Sequence, residues 1–195
     1  MKKADFQAIA DRFHISPITA RLIRNRDVTE EKEIDHYLNG TVADLLDGML
    51  MKDMDKAAEI LQEKIRENSR IRVIGDYDID GVNATYILKE GLNGLGADVD
   101  TDIPDRIRDG YGLNRLLVER AWEDGIDTII TCDNGIAAAE EIAYGKELGM
   151  TVIVTDHHEV PFSEENGERV YQLPPADAVV DPKRADCPYP FKGLC

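Results

Sequence analysis

Apolar residues recur along the chain with two different periods, and the change from one to the other divides it. From residue 1 to about 50 the spacing is helical. DFQAIADRF sets apolar side chains three and four apart. In ISPITARLIRNR, Ser16 stands where a helix cap belongs and Pro17 fits the first helical position. TEEKEIDHYLNG opens at Thr29 with acids in its first turn and closes at Asn39-Gly40. A fourth helix is predicted over about 53–68. Beyond it, short runs that are apolar almost throughout alternate with helical patterns. Strands are predicted over 71–75, 97–104, 127–132, 150–156 and 176–181. Helices are predicted over 82–96, 114–125 (capped by Asn114) and 136–149. The polar, proline-bearing stretch 160–175 reads as a loop. The fold class that follows is α/β, a parallel sheet flanked by helices over 53–195, preceded by an N-terminal helical region over 1–52.

Composition narrows the classes. At 195 residues and 43% hydrophobic content the chain can bury a core. No stretch approaches the 18 apolar residues of a membrane span. The opening MKKADFQAIADRF starts basic but breaks into charges at once, unlike a signal peptide. Three widely spaced cysteines, Cys132, Cys187 and Cys195, with no C-x-x-C pair, read as free thiols in a reducing, cytoplasmic setting. Lys plus Arg number 23 against 39 for Asp plus Glu, so the net charge is 23 − 39 = −16. A nucleic-acid backbone calls for a basic face. Three readings stay open: the substrate is not nucleic acid, cations and local Arg or Lys offset the acids, or a basic portion lies outside this chain.

The acids are clustered by element. Asp76, Asp78 and Asp80 follow strand 71–75, Asp133 follows strand 127–132, and Asp156, His157 and His158 follow the strand run 150–155. Ligands of open α/β sheets bind at that carboxyl edge. Singly, each motif has a plainer reading. Asp133 could be a helix cap, and the two histidines a structural pair. D-x-D-x-D-G also opens a calcium-binding helix-loop-helix, but that loop needs a Glu at its twelfth position, where this chain has Ile87, and a helix before it. Together the residues supply carboxylate oxygens and imidazole, a set suited to Mn2+ or Mg2+ more than to structural zinc. Carboxylates in excess of one ion's needs point to two ions about 3.5–4 Å apart with one carboxylate bridging, the usual clamp for in-line attack at phosphorus. Cys132, beside Asp133, reads as a small buried hydrophobe.

DYDIDG (76–81), IPDRIRDGYGLN (103–114), TCDNGI (131–136) and TDHHEVP (155–161) stand in an order and spacing that resembles the DHH phosphoesterase superfamily. RDGYGLN, DPKRADCPYPFKGLC and the helical start resemble its single-stranded-DNA exonucleases more than the branches acting on pyrophosphate, cyclic dinucleotides or oligoribonucleotides. The resemblance covers essentially the whole chain. It implies a phosphodiesterase dependent on two Mn2+ or Mg2+ ions that digests single-stranded DNA from the 5′ end to 5′-mononucleotides. On it, Asp78 and Asp80 match metal ligands of the first motif, Asp133 the bridging carboxylate and His157 a ligand. His158 matches a ligand or a donor to the scissile phosphate. Asp76 is an extra ligand candidate, because some relatives carry a metal-binding histidine near Ile74. Asp156 is expected to orient the histidines. Arg106 and Arg108 could hold phosphate, or pair with Asp105 or Asp109 on the surface. Tyr111 sits in the loop facing the site. Candidate partners besides single-stranded DNA are single-strand-binding and repair proteins, with no membrane.

The same resemblance implies that family members continue past the FKGL segment, with a further Asp ligand, a second substrate-binding domain and a strand-gripping OB-fold. This piece is therefore expected to bind metal weakly and to show little or no exonuclease activity alone. The alternative enzyme is a DHH-type phosphodiesterase for short oligonucleotides or cyclic dinucleotides. A third reading, a decayed module kept for protein binding, is disfavoured by the full set Asp78, Asp80, Asp133, His157 and His158.

Overall fold

Arg70–Ile74 forms the first strand, and from Ile71 onward it is buried. A strand that is apolar on both sides needs a cover on both faces, and the chain builds one. The computed structural model describes residues 5–165 and 167–194, so the free-thiol reading of Cys195 lies outside the described residues. The helices are α1 (Phe6–Phe13), α2 (Pro17–Asn25), α3 (Glu31–Asn39), α4 (Met54–Arg66), α5 (Ile79–Gly94), α6 (Arg115–Glu123) and α7 (Ala139–Glu147). The strands are β1 (Arg70–Ile74), β2 (Asp98–Asp102), β3 (Thr128–Cys132), β4 (Thr151–Thr155), β5 (Phe162–Glu165), β6 (Glu168–Tyr171) and β7 (Ala178–Val180). Two compact units divide between Asp47 and Gly48. The first holds α1 to α3 around Ala10, Ala20, Ile23 and Ile34.

The second unit is the α/β domain. Its five-stranded sheet runs β2-β1-β3-β4-β7 with every neighbouring pair parallel. On one face α6 and α7 cover Ile74, Ile129, Val152 and Val154 with Leu117, Val118 and Ile142. On the other, α4 and α5 cover Ile71, Val73, Ile130 and Ile153 with Ala57, Leu61, Leu88 and Leu92. Alternate residues of each strand feed opposite cores, as the two-residue strand period requires, and each fully buried isoleucine contributes about 1.5–3 kcal/mol. Among the described residues no helix is long and apolar enough to cross a membrane.

The α/β class and the parallel sheet match the expectation; several boundaries and one segment differ. Stretch 160–175 is not simply a loop: β5 and β6 form an antiparallel hairpin that pairs Phe162 with Tyr171 and Ser163 with Val170. It is largely exposed, so it lacks the apolar alternation that marks a half-buried strand. The Asn166-Gly167 dipeptide, with Gly167 at φ 83°, was its readable turn signal. Helix α5 starts at Ile79, not Val82, because the Asp78 carboxylate caps the N–H groups of Asp80 and Gly81 at 2.9 and 3.0 Å. Helix α7 starts at Ala139, not Ile136, because the Ile136 N–H is taken by Asp156 and the Ala138 N–H closes a turn on Gly135. Helix α3 is capped at Glu30 instead of Thr29, the Glu33 carboxylate accepting both backbone N–H groups at 3.2 and 3.1 Å.

Candidate metal centre

Strand order decides where the chemistry gathers. After β1 the chain crosses to β2 on one side, then returns past β1 to β3 and moves outward to β4 and β7. The direction reverses between β1 and β3, and there the two strand ends part. Past β1, Gly75 donates its N–H to Asp102 on the β2 side; past β3, Asp133 donates to Thr155 on the β4 side. A crevice opens between them, the usual ligand position in open α/β sheets.

Asp76 and Asp78 enter it from β1. Asp76 is wholly buried; one oxygen takes the Gly112 N–H at a long 3.4 Å and the other has no hydrogen-bond partner. Its backbone lies so close to α5 that a Cβ on Gly81 would sit 2.4 Å from the Asp76 carbonyl oxygen, which accounts for glycine there. The N–H of Gly81 on the Asp78 oxygen holds that carboxyl below the usual carboxylate range. Asp133 enters from β3 with a left-handed backbone, φ 59°, that Asp tolerates better than most residues. It is buried, one oxygen has no partner, and the other lies 2.8 Å from His157 Nε2. Burial, and then the neighbouring charge of Asp78, raise its pKa despite His157.

The histidines come from the end of β4. Asp156, buried beneath them, accepts the N–H groups of Ile136 (2.9 Å), His157 (2.7 Å) and His158 (3.2 Å), and lies 2.7 Å from His158 Nδ1. Nδ1 of His157 lies 2.9 Å from the Leu194 carbonyl. A carbonyl only accepts, so Nδ1 carries a proton there, which leaves Nε2, on the Asp133 side, as the nitrogen that would ligate a metal. For His158 burial opposes ionisation, but the Asp156 carboxylate outweighs it and raises the pKa. Replacing Asp156 by alanine removes the acceptor of three N–H groups, that of Ile136 buried, and releases the His158 ring. The expected loss is ~3 kcal/mol or more of stability, read by urea unfolding, and about 10–100-fold in Mn2+ affinity, read by calorimetry.

Two groups of donor atoms lie within 4.8 Å of one another: Asp133, His157 and His158, and Asp76, Asp78 and Asp133. They share Asp133. Buried carboxylate oxygens without a donor, on Asp76 and Asp133, are what a cation would satisfy. The donors are oxygen and imidazole. Cys132 turns into the core toward Thr85 (3.5 Å), its thiol pushed up to about 11 by burial, so it offers no thiolate. The residues present therefore fit two hard or borderline divalent cations with Asp133 between them. Asp80 lies outside both groups; it is exposed and borders an apolar cleft of about 530 Å³ that also reaches Asp133 and His157.

Around the donors runs a row of rings. His158 is followed by Tyr111 (ring centroids 6.4 Å apart), then Tyr77 (6.1 Å), with the Arg106 guanidinium 5.4 Å over the Tyr77 ring. Burial and the nearby carboxylates push the Tyr111 phenol up to about 12, so it stays a neutral donor. Arg108 instead faces Asp105 at 3.5 Å, while Asp109 lies 3.7 Å from Arg120. The motif reading passed over three residues. Tyr77 lies between two of the aspartates. Asn134 follows Asp133. Asp181 follows β7, is fully buried, and has one carboxylate oxygen without a partner. The signal for the last was available, since it stands just past a strand like Asp76, Asp133 and Asp156.

Comparison with known proteins agrees with this geometry. Residues 70–191 match the DHH family, N-terminal domain. Among curated proteins, the single-stranded-DNA-specific exonuclease RecJ of Bacillus subtilis is 39% identical over 188 residues, 96% of this chain and 23% of that protein. RecJ of Escherichia coli is 35% identical over 181 residues, 92% of this chain and 29% of that protein. The chain thus spans about a quarter of the length of these relatives, 23% and 29%. Among solved structures, exonuclease RecJ bound to manganese superposes with a TM-score of 0.62 at 39% identity, over 73% of this chain and 34% of that one. RecJ of Thermus thermophilus in complex with Mn2+ gives 0.59 at 31% identity, over 91% of this chain and 23% of that one. The matched span takes in every residue of both donor groups, and on that ground the chain belongs to the DHH family.

Proposed function

We propose that this chain is the metal-binding catalytic portion of an exonuclease that hydrolyses single-stranded DNA from its 5′ end to 5′-mononucleotides, using two Mn2+ or Mg2+ ions. The observation that carries the reading is the pair of donor groups sharing Asp133. Bound there, two divalent cations lower the pKa of coordinated water and neutralise charge developing at phosphorus. The chain's own residues do the rest. Asp133 stands between the two groups, with Asp76 and Asp78 on one side and His157 on the other. The Leu194 carbonyl keeps His157 Nδ1 protonated and its Nε2 free to ligate. Asp156 anchors His158 through Nδ1, leaving Nε2–H of the imidazolium to donate to the scissile phosphate. Tyr111 and Tyr77 offer faces for unstacked bases, and Arg106 adds a cation beside them. Asp80, outside both groups, touches the site through its main-chain N–H, which donates to the Asp78 carboxylate. Single-stranded DNA is the partner on this reading, with single-strand-binding or repair proteins as candidates in the cytoplasm.

The net charge of −16 favours a second reading, a phosphodiesterase for short oligonucleotides or cyclic dinucleotides, because a long strand is repelled more than a short one. Rates on labelled single strands, di- and trinucleotides and cyclic dinucleotides separate the two. The expected result is slow, Mn2+-dependent release of mononucleotides from the 5′ end of long strands, stopped by EDTA. Release from the 3′ end, or faster turnover of the small substrates, overturns the first reading.

A further inference from the structure

The main-chain pairing between β1 and β3 stops at Ile74 and Thr131, just short of the residues whose carboxylates must meet. Beyond that point Gly75 and Asp133 bond outward, to opposite neighbours. Asp76, Asp78 and Asp133 bring carboxylate oxygens within 4.8 Å of one another across these ends, and the charge of Asp78 opposes that of Asp133. The Asn134 side chain spans the gap. Asn134 Nδ2 donates to the Ile74 carbonyl at 3.2 Å and to the Cys132 carbonyl at 2.9 Å, tying the last residue of β1 to the last residue of β3. Both acceptors are carbonyls, so the amide can present only its NH2 to them. Asn134 is buried, and its Oδ1 has no partner. The side chain thus accepts an unsatisfied oxygen while directing both donors to the splitting point.

We infer that Asn134 is a positioning residue: its amide clamps β1 to β3 and so sets the separation between Asp76 and Asp78 on one side and Asp133 on the other, which decides whether two ions bind as a pair. The inference rests on the two-ion reading above. The neighbouring contact, Thr131 Oγ1 donating to the Asn134 main-chain carbonyl at 2.8 Å, shapes the turn but bridges no strands, and it supplies the control.

The test titrates Mn2+ into the chain and into its N134A, N134S and T131V variants. Calorimetry reads affinity, and electron paramagnetic resonance reads the spin-coupled signal of two adjacent Mn2+ ions. With the clamp removed, folded N134A binds one ion within about threefold of the parent. The other is weakened by about tenfold or more, the scale of lost supporting contacts around metal ligands, and the coupled signal gives way to that of isolated ions. N134S, whose hydroxyl reaches at most one carbonyl, falls between, and T131V keeps the coupled signal. Should N134A fail to fold by circular dichroism, N134S carries the same two readings. Parent-like affinity for both ions and an intact coupled signal in N134A, or in N134S standing in for it, overturn the clamp alone. So does loss of the signal in T131V but not in N134A. A parent chain that binds fewer than two Mn2+ ions brings down the two-ion reading and the clamp with it.

Discussion

Replacing Asp133 by alanine is expected to abolish paired metal binding and, with it, whatever slow metal-dependent hydrolysis the chain shows, since each ion contributes several kcal/mol at the transition state. The reason is position. Asp133 is common to both donor groups, so its loss breaks two sites with one substitution. The variant should still fold, since alanine at φ 59° costs only about 1–2 kcal/mol and burial already opposes the ionisation of Asp133. The measurement is Mn2+ titration of parent and variant, followed by digestion of 5′-labelled single strands. One paired site surviving in D133A would remove Asp133 from the shared position. Asp78→Asn and Asp80→Asn refine the picture. Asp78 belongs to a donor group and Asp80 does not, so D78N is expected to weaken Mn2+ binding more than D80N. Equal losses would restore Asp80 as a direct ligand.

Asp181 carries the second large effect, on stability. It is fully buried at the end of β7, accepts the Lys183 N–H at 2.7 Å, and has an oxygen with no partner. Burial pushes its pKa up to about 6 from 3.8. The sign follows from which state holds the proton. Below about pH 4 both folded and unfolded chains are protonated, and the group costs nothing. Between about pH 4 and 6 only the folded chain keeps the proton, so stability falls as pH rises. Above about pH 6 both states are ionised and the penalty is complete, about 3 kcal/mol for a shift of this size. Asp181→Asn keeps the acceptor for Lys183 and removes the charge. In EDTA at pH 8 it is expected to raise Tm by roughly 6–12 °C for a chain of this length, with the gain vanishing below about pH 4. A variant no more stable than the parent at pH 8 would mean that the buried charge already has a partner.

Much of the fold was legible because it is set locally. Runs such as RIRVI, TIITC and TVIVT are buried on both sides wherever they pair, so their composition alone marks them as central parallel strands. Ser16 and Asn114 cap the helices they precede, each accepting a backbone N–H at 3.0 Å. That acids and histidines stand just past strand ends is also a local fact, and strand ends in a parallel sheet share one edge. The β5–β6 hairpin escaped because it buries almost nothing and leaves no apolar pattern to read.

What the linear order could not decide is which of those edge residues meet. Asp76, Asp78 and Asp80 are equivalent along the chain. Asp76 and Asp78 meet Asp133 because β1 lies beside β3, while Asp80, on the first turn of α5, stands outside both donor groups. The left-handed backbone of Asp133, the Asn134 amide across the strand ends and the unpartnered oxygen of Asp181 likewise exist only once β1, β3, β4 and β7 stand side by side. Periodicity and capping act over a few residues and are written in the sequence. Strand order joins residues 76 and 133 through contacts between distant segments, and only the packed sheet sets it.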